Sequence, residues 1–316
     1  MRRHTCLAGA VRCVGVAAIV LTAAASCPPF AAAQSPHRTF ESPEDAVRAL
    51  AAAVKSGQLD QVEAIFAPDG QELAASSDPA TGRRNREVFM AAFAEGWRLV
   101  NQTANRKTLV VGNEAWPFPV PLVKEGSQWR FDTAAGKEEV LARRIGRNEL
   151  AAIAICRTYV SAQLQYSKDG HDGKPAGLYA KTFGSDPGKQ NGLYWPAVHG
   201  QPRSPLGDLV AQAAEEGSPV GGNRQPPSPF HGYYFKILTG QGSHAPGGAR
   251  SYVVDGEMSG GFALVAWPTQ YDATGVMTFL VSKDGGIRQK DLGTGSDAAA
   301  RAMTVYDADA SWINVR

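Results

Sequence analysis

The chain has 316 residues, 43% hydrophobic and 20% charged, with 34 glycines and 20 prolines, which excludes a disordered or collagen-like protein and leaves room for two domains. The formal charge is +2, and without Arg2, Arg3 and Arg12 of the N-terminal segment 29 basic residues face 30 acidic ones. A chain this close to neutral has no electrostatic claim on nucleic acid or on an acidic membrane surface.

Residues 1–33 have the pattern of an export signal. Arg2 and Arg3 form a positive start, and Val14 to Ala25 is apolar but too short to span a bilayer comfortably. Ala31-Ala32-Ala33 before Gln34 supplies a small-residue cleavage site; Ala24-Ala25-Ser26-Cys27 competes as a lipobox, with Ala24 where a branched residue is expected. Cleavage after Ala33 is favoured, which makes the expected destination periplasmic or secreted. Of four cysteines, Cys6, Cys13 and Cys27 lie in this leader, so the mature chain would keep Cys156 alone and form no internal disulfide. Cys156 ends the apolar run Leu150 to Cys156, and a small buried hydrophobe is favoured over a nucleophilic thiol.

The first helix is expected to open at Ser42-Pro43-Glu44-Asp45, with Ser42 as cap, and to end at Gly57. A short second helix follows with Leu59, Val62 and Phe66 inward and Asp69-Gly70 as its stop. Ser76 to Arg84 reads as a polar loop, and a third helix is expected over Glu87 to Trp97. The period then changes to that of strands. Thr108 to Val111 is one strand, and Val120 to Lys124 pairs with Gln128 to Phe131 across Glu125-Gly126-Ser127. The prolines at 117, 119 and 121 confine their segment to an edge or an extended loop.

Lys137 to Tyr166 reads as one helical segment, about 43 Å long at ~1.5 Å per residue, which Gly146 is positioned to bend or break. Asp169-Gly-His-Asp-Gly173 turns the chain. Its Asp169, His171 and Asp172 offer a possible calcium loop, but without EF-hand spacing, and a solvated turn is favoured. Ser204-Pro205 starts a short helix ending at Gly217, and Ser218 to Pro229 is a Gly- and Pro-rich loop.

Phe230 to Leu292 is a series of strand-length apolar runs stopped by Gly, Pro or Asp, with a hairpin signal at Lys283-Asp284-Gly285-Gly286. These form an antiparallel sheet of consecutive strands under the upstream helix, with Trp267 and Phe279 expected to face that helix. A short helix near Ala298 to Met303 and a strand at Trp312 to Val315 close the chain. The fold class is therefore α+β, with a signal peptide at 1–33, an N-terminal α+β domain at 34–136, and a long helix with an antiparallel sheet at 137–316.

Catalytic signatures are few. There is no Gly-x-Ser-x-Gly elbow, His-Glu-x-x-His or Cys-x-x-Cys. Gly184 to Gln190 is one residue short of a phosphate loop, and Gly293-Thr-Gly295 reads as a turn leaving the sheet. His199 and His231 lie beside aromatics without a serine or carboxylate at a partner spacing. The aromatic groups Trp116 and Phe118, Tyr194 and Trp195, and Tyr233 beside His231 are the ligand-binding candidates, as stacking walls for a peptide or glycan; core packing is the competing reading. No catalytic residue, metal or cofactor is implied.

Several long stretches carry a resemblance. Asn101 to Lys124 with its Trp116-Pro-Phe-Pro-Val-Pro121, Trp129 to Glu139, Arg144 to Glu149, and Gly261 to Pro268 through Gln289 to Gly293 resemble the exported bacterial family catalogued as domain of unknown function 2950. The resemblance covers nearly the whole mature chain and implies an envelope protein of unassigned function. The order of elements up to Phe131 is similar to the cone-shaped nuclear-transport-factor-2-like group. Asn148-Glu149, Gly232-Tyr-Tyr-Phe235, Ala266-Trp-Pro268 and Thr278 to Gly285 resemble globular heads of type IV pilins. Pilins place an apolar membrane helix before the head, whereas Lys137, Arg143, Arg144 and Arg147 occupy that place here, and such a stretch cannot sit in a bilayer core. The expected role is a non-enzymatic binding or assembly module for an envelope protein, peptide or glycan, with no transmembrane segment in the mature chain; the alternative is an extracytoplasmic hydrolase whose residues converge only in three dimensions.

Overall fold

A computed structural model describes residues 37–74, 79–200, 202–215 and 229–315. The export signal, Cys27, most of the Ser218 to Pro229 loop and the expected stop at Gly217 lie outside the described residues. Helix α1 (Pro43–Ser56) forms where the sequence places it. Ser42 Oγ accepts from the Asp45 amide at 3.1 Å, and Gly57 ends the helix at φ 70°. Helix α2 (Leu59–Ile65) buries Ile65 and delivers Phe66 to the core, but Leu59 is exposed because it opens the helix on the solvent side. Gly70 does not stop that helix; it begins α3 (Gly70–Ala74). Helix α4 (Pro79–Glu95) reaches back over much of the expected polar loop, with Pro79 at its first position, where a missing amide costs nothing.

Strand β1 (Trp97–Thr103) was not legible as a strand, since Arg98, Asn101 and Gln102 dilute its apolar residues. It pairs antiparallel with β2 (Arg106–Val111), which also carries the edge pair β3 (Trp116–Pro117). Strands β4 (Leu122–Glu125) and β5 (Gln128–Phe131) form the expected hairpin, giving the order β1-β2-β4-β5. Phe40, Val47, Leu50, Phe66, Leu109, Leu122, Trp129 and Phe131 make one buried cluster between this sheet and the helices.

Helix α5 (Thr133–Tyr166) is one continuous run of 34 residues and starts four residues before the expected Lys137. Asp132 caps it, its Oδ1 accepting from the Ala135 amide at 3.3 Å. Gly146 does not break it: one interior glycine costs only about 1 kcal/mol, and the packing at both ends outweighs that. Its first turns bond the N-terminal region, with Thr133 Oγ1 donating to Asp69 at 2.8 Å and Lys137 paired to Asp69 and Glu72. Its second half buries Ala152, Cys156, Tyr159, Val160 and Gln163 against the second sheet. Gln163 is fully buried and behaves like a strand neighbour of Ala180, accepting from its amide at 2.9 Å and donating to its carbonyl at 2.8 Å.

Helix α6 (Gly207–Glu215) starts three residues after Ser204, whose carbonyl accepts from the Gly207 amide. The second sheet is built from β6 (Tyr233–Leu238), then, beyond the short strands β7 (Gly240–Gln241), β8 (Arg250–Ser251), β9 (Val253–Val254) and β10 (Glu257–Met258), from β11 (Ala263–Pro268), β12 (Met277–Ser282) and β13 (Ile287–Asp291). Helix α7 (Ser296–Ala302) and strands β14 (Val305–Tyr306) and β15 (Ile313–Asn314) end the chain. The order β15-β13-β12-β11-β6 is all antiparallel, as the strand pattern required. Every residue of β11 is buried because both faces are covered. Phe235 of β6 clusters with Ile155 of α5, whereas Trp267 donates through Nε1 to Asp297 of α7 at 2.9 Å. Trp267 therefore faces α7 and not the long helix, the opposite of the expectation: period-2 alternation sends it away from Ala266, which pairs Phe279. The molecule is an α+β protein, and no helix among the described residues is long and apolar enough to cross a membrane.

Candidate functional site

The C-terminal end of α5 opens into a cleft of about 160 Å³. Tyr166 of the last helical turn, Asp169 to Lys174 of the following turn, the segment Leu178 to Thr182, Asp186 and Asn191 of the next loop, and Glu257 at β10 surround it. Backbone pairing fixes these pieces. The Tyr179 amide donates to Met258 O and the Gly177 amide to Ser167 O, both at 2.8 Å, while the loop from Thr182 closes on itself through Ser185 N to Tyr194 O at 2.8 Å. Asp172 takes φ 51° and Gly173 φ 78°, the left-handed geometry of a tight turn that Asp and Gly tolerate.

His171 sits against the back wall. Its ring stacks on Tyr166 at 4.1 Å and tilts toward Trp195 at 5.6 Å. Nε2 meets the Tyr166 carbonyl at 2.9 Å, and Nδ1 is buried without a hydrogen-bond partner among the described residues. Burial, reinforced by Asp172 and Glu257, pushes the Tyr166 hydroxyl up to about 12, so it stays a donor, to Gln190 O at 3.0 Å. The Asp172 carboxylate accepts from the Gln190 amide at 3.0 and 3.2 Å. Lys174 Nζ bonds Glu257 at 2.8 Å and holds that carboxyl below its ordinary range; Asn191 does the same for Asp186. Lys181 Nζ donates to Gly256 O at 2.7 Å. Among the described residues no three His, Cys, Asp or Glu side chains are grouped to hold a metal ion.

The sequence candidates fall in three separate places. Trp116 is exposed on the edge of the first sheet, with Arg143 over its ring at 5.4 Å, and Phe118 packs edge-on against it and into the N-terminal core. Tyr194 and Trp195 lie behind the cleft; Trp195 is buried, its Nε1 donating to Pro202 O at 3.1 Å. His231, at φ 46°, rests on Phe230 at 4.2 Å, and the buried Tyr233 donates to Met277 O at 2.9 Å. Burial drives the Tyr233 hydroxyl far above its ordinary range. His199 is exposed. Cys156 is fully buried, and burial pushes its thiol up to about 12, as a structural cysteine requires.

Sequence reasoning weighed Asp169, His171 and Asp172 only as a calcium loop, and it missed Tyr166, Lys174, Lys181 and Glu257. Glu257 lies 83 positions from Lys174, so no spacing signal exists for that pair. It also missed His244 Nδ1, which lies 3.1 Å from Asp307 Oδ1 on the surface. Asn148 and Glu149 prove to be structural: Glu149 Oε1 accepts from the Val276 and Met277 amides at 2.9 and 3.0 Å, and Asn148 donates to Thr274 O at 2.8 Å.

An α+β chain whose two five-stranded sheets share one long helix, with a polar cleft at that helix's C-terminal end, is the class of protein this geometry defines. The family model described as "Protein of unknown function (DUF2950)" matches residues 37–315, and the chain belongs to that family. No curated protein and no solved structure matches it.

Proposed function

We propose that this chain is an exported envelope protein that acts as a non-enzymatic binding module, and that the cleft at the end of α5 is its ligand site. The observation that supports it most directly is the combination of a half-open cavity with hydrogen-bonding groups of both kinds on its walls and an aromatic wall of Tyr166, His171 and Trp195 behind. His171 is stacked and bonded, and so suits fixed recognition better than proton transfer. Two domains divided at residue 137 belong to the same reading, favoured by the two buried clusters; it also takes the second as a pilin-head-like module and the first as a nuclear-transport-factor-2-like one.

The test has two parts. Mass spectrometry of the envelope form is expected to find Gln34 at its N-terminus; acylated Cys27 supports the lipoprotein route, and an unprocessed cytoplasmic chain overturns export. Calorimetric titration of the mature chain with soluble envelope peptides and glycan fragments is expected to give binding that falls about tenfold in Glu257→Ala, one lost charged contact. Binding lost in Trp116→Ala instead would move the site to the edge of the first sheet. The hydrolase alternative is favoured by one pair, His244 with Asp307, and it predicts a hydrolytic activity on envelope fragments that His244→Ala abolishes.

A further inference from the structure

The loop from Thr182 to Tyr194 dictates the residues at positions 191 and 192. Its two ends run side by side: the Leu193 amide donates to Thr182 O at 3.1 Å, the Tyr194 amide to Phe183 O at 2.8 Å, and the Ser185 amide to Tyr194 O at 2.8 Å. A Cβ at position 192 would lie 2.5 Å from the carbonyl carbon and oxygen of Gly184, so only glycine fits there. Position 191 must both accept and donate. Asn191 Oδ1 accepts from the Asp186 amide at 2.9 Å, and its Nδ2 donates to Asp186 Oδ2 at 2.8 Å. A carboxamide offers both groups, whereas an ionised carboxylate only accepts.

The result is Asn191-Gly192, the one Asn-Gly pair of the sequence and, because glycine leaves its own amide unshielded, the dipeptide most open to deamidation. In that reaction the Gly192 nitrogen attacks Asn191 Cγ. A new N–Cγ bond closes a succinimide ring, the Cγ–Nδ2 bond breaks, and Nδ2 leaves as ammonia with the proton that Gly192 loses. Water then opens the ring at either carbonyl, giving an aspartyl or an isoaspartyl residue.

The folded loop opposes each requirement. The Gly192 amide donates to Ser185 Oγ at 2.9 Å, and a hydroxyl is too weak a base to take its proton. The two bonds to Asp186 fix the carboxamide, and a turn in which the Lys189 amide donates to Asp186 O at 3.0 Å fixes Asp186. Asn191 holds the Asp186 carboxyl below its ordinary range, so that group has no proton to give to departing ammonia.

We propose that Asn191 is a latent deamidation site: the closed loop preserves its amide, and conversion to the acid, once the loop opens, sets two carboxylates against each other and keeps it open. Asn191 and Asp186 both line the cleft, so the conversion alters its wall. The proposal does not depend on what the cleft binds.

Peptide mapping by mass spectrometry reads the conversion at Asn191 while the mature chain is incubated at neutral pH. The folded chain is expected to deamidate at least about tenfold more slowly than the same chain unfolded in guanidinium chloride, as when about one molecule in ten or fewer has its loop open. Ser185→Ala removes the acceptor from the Gly192 amide, and Asp186→Ala removes the carboxylate from Nδ2. Each is expected to raise the rate in the folded chain several-fold, with circular dichroism checking the fold; if one variant fails to fold, the other decides. Asn191→Asp supplies the acid from the start, and trypsin is expected to cut it after the exposed Lys189 faster than it cuts the wild-type chain. Equal deamidation rates in the folded and unfolded wild-type chain overturn the proposal, and so do wild-type rates in the folded variants. Trypsin cutting Asn191→Asp no faster than the wild type overturns the claim that the acid keeps the loop open.

Discussion

The two five-stranded sheets among the described residues solve burial differently. In the first, β1 alternates between half-buried Trp97 and Leu99 and exposed Arg98 and Val100, and helices α1 and α4 pack against the strands beside it. In the second, α5 and α7 cover opposite faces, so β11 is buried along its whole length and its sequence is continuously apolar. A sheet covered twice gains more from each large side chain, because both faces of a strand leave water. It also needs polar pins between its layers, and Gln163 at Ala180, Glu149 at Val276 and Trp267 at Asp297 supply them.

The largest expected effect concerns whether the second sheet stands alone. A fragment from Gly146 to Arg316 keeps the half of α5 that covers it, and is expected to unfold in one transition with mixed helix and strand circular dichroism. A fragment that stays unfolded would show that the second core depends on the first turns of α5 and on the N-terminal region bonded to them.

Next comes burial itself. Trp267→Ala should lower unfolding free energy in a denaturant titration by about 3–5 kcal/mol, while Leu99→Ala on the half-buried strand should cost less than about 2 kcal/mol. Equal losses would remove the distinction between the sheets.

Acid should touch both regions, and more gently. The Thr133 hydroxyl, followed by Lys137, holds Asp69 below its ordinary 3.8, and Arg301 with Trp267 Nε1 does so for Asp297. A lowered folded-state pKa means stability that is complete above the ordinary value and lost as pH falls through the lowered one. Both contributions should therefore be present at neutral pH and disappear below about pH 4. Asp69→Asn and Asp297→Asn are each expected to flatten the acid limb of a stability-versus-pH curve; an unchanged limb would show that the bonds carry no net stability.

The smallest effects lie on the shared helix. An added methyl at Gly146 meets no atom within 4 Å, so Gly146→Ala should stabilise by about 0.5–1 kcal/mol. At Gly136 it would come within 2.7 Å of Val120, so Gly136→Ala should destabilise by about 1–3 kcal/mol. The same change with opposite signs, read by thermal unfolding, separates the solvated middle of α5 from its packed start.

Local chemistry was legible wherever it acts over a few residues. The Ser42 cap and Gly57 stop, the hairpin across Gly126, the run of strands from Tyr233 to Asp291, and the burial of Cys156 could all be read from neighbouring positions, because caps, turns and periodicity are short-range. Strand β1 could not, since an exposed edge strand has few apolar residues to declare it. Nor could the face of Trp267, because a run buried on both sides carries no alternation to say which helix each residue meets. The cleft needed the tertiary structure altogether. His171 gained its stacked setting only when Tyr166 and Trp195 enclosed it, and Glu257 joined Lys174 only when β10 paired with the segment after α5. Periodicity and turn chemistry are properties of adjacent residues, whereas a site is a meeting of side chains whose separation along the chain carries no signal until the backbone has brought them within a few ångströms.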